Sequence, residues 1–220
     1  MERDLTETEC RVLGCLLEKA AATPDQYPLS INALVQACNQ KSNREPVMQL
    51  DEGDVRATVT DLTRRGLVRQ ASAYGGRVSR FEHRLAPGPG SPLNASPEQR
   101  AVLCLLLLRG PQTAGELRAR GQRLADFADV AAVERALAEL LEWDDGPLVE
   151  CLPREPGRRE SRWRHCLGGE GTPVASLVHS PAQPASVAEP ATGGDLEARV
   201  AALESAVAEL RRRLDAYEEP

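Results

Sequence analysis

Aromatic side chains are scarce in this 220-residue chain, at 3% with 2 Trp, 3 Tyr and 2 Phe. A core must therefore be assembled from Leu, Val and Ala, which suits helices packed on helices. Cysteine is present but never as CxxC: the 6 cysteines stand at positions 10, 15, 38, 104, 151 and 166. That scatter argues against a zinc site and against a secreted disulfide framework. Cys10, Cys15, Cys38 and Cys104 fall in apolar helical patterns, as small hydrophobes do. Long apolar runs are missing too. The longest, Val102–Leu108, is far too short to cross a bilayer, and the charged start Met1-Glu2-Arg3-Asp4 contains no signal-peptide core. The expectation is a cytoplasmic chain without a membrane partner. No Ser-His-Asp order, paired-carboxylate pocket, phosphate-cradling glycine loop or HxxxH spacing is found, so neither catalytic residues nor a cofactor or metal site is expected.

An excess of positive charge is lacking as well, with a formal net charge of −6. Its distribution matters more than its sum. Residues 1–86 carry 12 Lys/Arg and 12 Asp/Glu, residues 96–167 carry 11 and 12, and residues 168–220 carry 4 and 9. The acidity belongs to the tail, and elsewhere local patches decide what the chain touches.

What the chain does contain is one unit written twice. Arg11-Val12-Leu13-Gly14-Cys15-Leu16-Leu17 lines up with Ala101-Val102-Leu103-Cys104-Leu105-Leu106-Leu107, and upstream Thr6-x-x-Glu9 matches Ser96-x-x-Gln99. Both are capping boxes, in which a hydroxyl accepts from a free helical N–H and the Glu or Gln reaches back. They predict helices over about Glu7–Ala21 and Pro97–Arg109, with Gly110 ending the second. A shorter helix follows in each copy, after Ser30 and after Thr113. Third helices, about Glu52–Arg65 and Val130–Glu142, place Val55, Val59 and Leu62 or Val133, Leu137 and Leu140 on one face.

The period then changes. Gly66-Leu67-Val68-Arg69 and Gly146-Pro147-Leu148-Val149 open strands. Arg77-Val78-Ser79-Arg80-Phe81-Glu82-His83-Arg84-Leu85 matches Arg159-Glu160-Ser161-Arg162-Trp163-Arg164-His165-Cys166-Leu167. Apolar and charged residues alternate along Phe81–Leu85, giving one face to each. Tyr74-Gly75-Gly76 and Glu155-Pro156-Gly157 read as hairpin turns between the strands. Three helices and a hairpin make a winged helix. The expected fold is therefore mainly α with short β-hairpins: two tandem winged-helix domains, residues 1–86 and 96–167, joined by an extended Pro/Gly linker at 87–95. Residues 168–194, rich in Gly, Pro, Ala and Ser, read as disordered linker. Over 195–218, Leu196, Val200, Leu203, Val207, Leu210 and Leu214 form a heptad seam. This predicts a coiled-coil-like helix able to pair two chains into a homodimer, or a lone amphipathic helix packing on its own domains.

Several stretches in order carry a family resemblance. They include Leu16-Leu17-Glu18-Lys19, Thr23-Pro24-Asp25-Gln26-Tyr27-Pro28, Leu29-Ser30-Ile31-Asn32, and Ala37-Cys38-Asn39-Gln40-Lys41-Ser42-Asn43-Arg44-Glu45-Pro46-Val47-Met48. In the second copy they are Leu107-Leu108-Arg109-Gly110, Thr113-x-Gly115-Glu116-Leu117-Arg118, and Arg154-Glu155-Pro156-Gly157-x-Arg159-Glu160-Ser161-Arg162. Over about residues 5–167 the chain resembles the YceH-like family of bacterial proteins. The resemblance implies tandem winged-helix domains and carries over no catalytic or ligand-binding residue.

Candidate contacts come from three places. In helix-turn-helix proteins the recognition helix enters the major groove, and here the third helix of the first copy offers Arg56, Thr60 and Arg64, although Asp51, Glu52 and Asp54 crowd its start. The hairpins offer Arg77, Arg80 and Arg84, then Arg154, Arg158, Arg159, Arg162 and Arg164, able to straddle a backbone or enter a minor groove or simply to solvate an edge. The long segment after the second helix offers Asn39, Gln40, Lys41, Asn43 and Arg44, whose side chains either bind a partner or satisfy their own loop. His83 and His165 read as partly buried side chains bonded to backbone. Duplex DNA is the favoured partner, as for a transcriptional regulator. The alternative is another protein docked on the winged helices, which the acidic second copy favours.

Overall fold

Each helix begins where its capping chemistry places it. Helix α1 (Glu7–Ala22) starts at a capping box of Thr6 and Glu9, and α4 (Pro97–Arg109) at one of Ser96 and Gln99, ending at Gly110 with φ 70°. The side chains of Ser30 and Thr113 cap α2 (Ile31–Cys38) and α5 (Ala114–Gly121). Helix α3 (Glu52–Arg64) opens on a box of Asp51 and Asp54, and α6 (Val130–Leu141) on Asp129. The computed structural model describes residues 4–71 and 78–168, all within one compact unit spanning Met1–Ser176. The heptad positions and the 168–194 linker, Gly168 apart, lie outside the described residues, as do Arg77 and the Tyr74-Gly75-Gly76 turn.

Six helices and five short strands among the described residues make the fold mainly α with antiparallel hairpins. In the first copy β1 (Leu29–Ser30), β2 (Val68–Gln70) and β3 (Arg80–His83) form a sheet in the order β1-β3-β2. In the second, β4 (Val149–Cys151) pairs β5 (Trp163–His165). Registers coincide: Val68 faces His83 and Gln70 faces Phe81, while Val149 faces His165 and Cys151 faces Trp163. Between them lies a cross-strand ion pair whose signs are exchanged, Arg69–Glu82 in one copy and Glu150–Arg164 in the other. The β1–β3 contact of Leu29 with Phe81 recurs as a single bridge of Gln112 with Trp163.

The copies share a core. Helix α1 packs along α4, and Ala101–Leu108 is buried all the way round, as befits a helix covered on every side. Gly14 and Cys104, equivalent positions of the repeat, meet there: the Cys104 thiol donates to the Gly14 carbonyl at 3.5 Å. The ends of the copies are stitched reciprocally. Ala95 N–H donates to the Leu85 carbonyl and Leu5 N–H to the Leu167 carbonyl, both at 2.9 Å, and these four residues are equivalent in pairs. The segment 87–95, expected to be extended, instead folds back, with Leu93 and Ala95 buried and Gly88 N–H bonded to the Asn94 side chain.

Candidate nucleic-acid interface

The segment between α2 and α3 is held from inside. Arg44 has a fully buried side chain, and each of its five N–H donors finds an acceptor. Nε donates to the Ala37 carbonyl at 3.0 Å, Nη1 to Glu18 Oε1 and the Asn43 carbonyl, and Nη2 to Glu18 Oε2 at 2.6 Å and Gln40 Oε1 at 3.1 Å. Burial alone would raise the Glu18 pKa, but the bonds from Arg44 outweigh it and hold the carboxyl below its ordinary value. Arg44, expected as a contact residue, is therefore a structural pin, because no donor is left for a ligand. Asn39 is a clamp on the same loop: its Nδ2 donates to the Leu50 carbonyl and its Oδ1 accepts from Leu50 N–H, both at 2.8 Å.

Arg11 completes this support. It is buried in α1 and donates to the carbonyls of Cys38 and Pro46; burial lowers its pKa. Sequence reading passed over it, although a cation opening the apolar run Val12–Leu17 is a signal for a buried polar tie. The second copy also holds the loop: Glu45 N–H donates to the Leu108 carbonyl and Arg109 to Asn43 Oδ1 at 2.7 Å. Asn43 sits at φ 59°, a left-handed conformation that asparagine tolerates. Lys41 alone of the expected loop cations projects into solvent unpaired.

Helix α3 displays Arg56, Thr60 and Arg64 on its outer face, but its charges are answered locally. Arg56 pairs with Glu52 and Arg64 with Asp61 on the same helix, and the Thr60 hydroxyl donates to the Arg56 carbonyl. Exposed pairs of this type are weak, about 0.3–0.5 kcal/mol, and open easily. A phosphate approaching either guanidinium still meets the carboxylate beside it.

On the first hairpin, Arg80 donates to the Pro28 carbonyl and Arg84 to the carbonyls of Gly66 and Gly90. On the second, Arg162 is tied to the Pro111 carbonyl and to Glu116 at 3.2 Å, and Arg164 to Glu150. Arg158 lies 3.7 Å from Glu155. Arg154 and Arg159 are exposed and have no partner among the described residues. The expected contact set thus divides into pins, locally neutralised charges and a few free cations, the latter being Lys41, Arg154 and Arg159.

His83 and His165 occupy the same strand register. Burial, reinforced by Arg100 and Arg164 respectively, pushes each down to about 4, so both are neutral near pH 7. His83 Nδ1 accepts from Leu85 N–H. Cys10, Cys15, Cys38 and Cys104 are buried. Among the described residues no group of three or more His, Cys, Asp or Glu is placed to hold a metal, and no helix is long and apolar enough to cross a membrane.

These features define a duplicated, mainly helical protein that displays charged hairpins. The chain belongs to the family described as protein of unknown function, DUF480, whose model matches residues 5–158. It is 51% identical to a UPF0502 protein of Hahella chejuensis over 97% of each chain. It is 46% identical to the UPF0502 protein YceH of Escherichia fergusonii, over 98% of this chain and 96% of the relative. A UPF0502 protein of Citrobacter koseri is 49% identical with the same coverage.

Proposed function

We propose that the chain is a cytoplasmic, non-enzymatic tandem winged-helix protein that binds duplex DNA, in the manner of a transcriptional regulator. The observation that carries this reading is the repetition, in one register, of three helices followed by an arginine-bearing hairpin. In winged helices such hairpins lie along the sugar-phosphate backbone or in the minor groove. The heptad residues Leu196, Val200, Leu203, Val207, Leu210 and Leu214 would pair two chains, raising the effective concentration of the second DNA contact. Fluorescence anisotropy with mixed-sequence duplex at low salt, followed by a salt titration, tests the DNA reading: micromolar binding that weakens with salt is expected. Absent binding, or binding indifferent to salt, refutes it. Light scattering should give a dimer that dissociates in Leu203→Asp/Leu210→Asp; a monomeric parent chain refutes the pairing.

A second reading, docking of another protein, is favoured by the outer face of α6. Val130 and Leu141 are exposed there beside Glu134 and Glu142, with Arg135 the only cation on the helix. A specific protein recovered by pull-down and retained after nuclease treatment would support it over DNA binding.

A further inference from the structure

We infer that the tip of the second hairpin, residues 152–162, is the element that grips duplex DNA, and that it does so through phosphates without reading bases. The inference rests on the DNA-binding proposal and narrows it to one copy and one mode of contact. The fold itself occupies most of the cations among the described residues. Arg44 and Arg11 are consumed by the loop they support, Arg56 and Arg64 face carboxylates one turn away, and Arg69, Arg162 and Arg164 are each tied to an acid. Lys41, Arg123, Arg135, Arg154 and Arg159 are not, and of these only Arg154 and Arg159 stand together on one hairpin.

These two flank a hydrogen-bonded turn. Pro156 and Gly157 occupy the centre of a turn closed by Arg158 N–H to the Glu155 carbonyl at 3.1 Å, with Gly157 at φ 80°. Proline presets the first central position and glycine accepts the second without strain. The turn stands on a fixed base. Leu152 N–H donates to the Arg162 carbonyl at 2.8 Å, the Arg162 guanidinium grips the Pro111 carbonyl, and Trp163 and Gln112 exchange backbone bonds at 2.8 and 3.0 Å. Little loop entropy remains to be lost when the flanking arginines close on an anion. Arg158, held only at 3.7 Å by Glu155, can join them.

Base reading in the major groove would require a third helix whose first turn enters it. Helix α3 begins with Asp51, Glu52 and Asp54, and the Asp51–Asp54 pair is committed to capping the helix. Helix α6 begins at Asp129 and presents Glu134 and Glu142. Neither start can approach a phosphate-lined groove without repulsion, whereas the hairpin tip touches the backbone from outside and its four arginines outnumber Glu155 and Glu160.

The test is anisotropy with short fluorescein-labelled duplexes, AT-rich and GC-rich, between about 50 and 200 mM salt. Neutralising two phosphates gives a log–log salt slope of about −2 and weakens binding roughly tenfold over that range. Arg154→Ala/Arg159→Ala should abolish that slope and weaken binding equally on both duplexes, Arg154→Lys/Arg159→Lys should retain it, and Arg56→Ala/Arg64→Ala should leave it unchanged. All these side chains are exposed, and circular dichroism checks that the variants fold. Parent-like binding by Arg154→Ala/Arg159→Ala, loss of the slope in Arg56→Ala/Arg64→Ala, or a loss confined to one base composition overturns the inference while leaving DNA binding standing. A parent chain with no salt-dependent binding removes the DNA reading itself.

Discussion

Replacing Gly14 by Ala separates two pictures of the chain by the sign of a stability change. In a helix interior Gly costs about 0.8–1.0 kcal/mol relative to Ala, so if α1 belonged to an independent first domain with open space beside Gly14, the substitution would stabilise it by roughly 1 kcal/mol. In the packed body there is no room. A Cβ on Gly14 would lie 2.8 Å from Leu108 Cδ2, 2.9 Å from Leu108 Cγ and 3.2 Å from Leu107 Cβ. Leu108 is 2% exposed, so it can swing only by displacing neighbours. Leu107 Cβ moves only with the α4 backbone. Overpacking of this kind costs about 1–3 kcal/mol, which offsets the propensity gain and leaves a net destabilisation of about 1 kcal/mol.

Gly115 supplies the control. A Cβ there would meet its nearest atoms at 3.8 and 3.9 Å, ordinary contact distances, so Gly115→Ala should stabilise by up to about 1 kcal/mol. Urea unfolding of the parent and both variants reads the difference directly as midpoint shifts at constant slope. A higher midpoint for Gly14→Ala, matching that of Gly115→Ala, would refute the shared α1–α4 core.

Two further outcomes follow from buried charge. Glu18→Ala strands the Arg44 guanidinium without its carboxylate and should cost about 3 kcal/mol, with Glu18→Gln costing less; a loss under about 0.5 kcal/mol in urea unfolding would show that the carboxylate does not hold the loop. His83 and His165 bind protons in the unfolded chain near pH 6.5 but in the folded chain only near 4. Stability should therefore fall as pH drops through that window, and a His83→Asn/His165→Asn variant should flatten the melting temperature against pH there; an unchanged acid slope would contradict neutral, buried imidazoles.

Much of the fold was legible because the signals are local. Thr6, Ser30, Ser96 and Thr113 announce helix starts through side chains that reach only three residues along the chain. Pro97 and Gly110 mark the ends of α4, and the matching Ser-Arg-aromatic strands carry one register in both copies. Pattern and local geometry coincide wherever an element is fixed by neighbours three or four positions away.

The candidate contacts were another matter. An arginine in a sequence is a free cation until something across the fold is known to face it. Arg44 reads as a loop contact, and Arg11 as no more than a position in the repeat. Glu18 and the carbonyls of Cys38 and Pro46, brought close by packing, turn both into buried ties. Arg162 is likewise claimed by Pro111, 51 residues away, while Arg154 and Arg159 go unclaimed. Sequence alone determined the elements and their duplication, since those depend on short-range bonding and periodicity. Tertiary structure decided how the copies join and which charges stay available, since both depend on long-range packing against groups that no local pattern identifies.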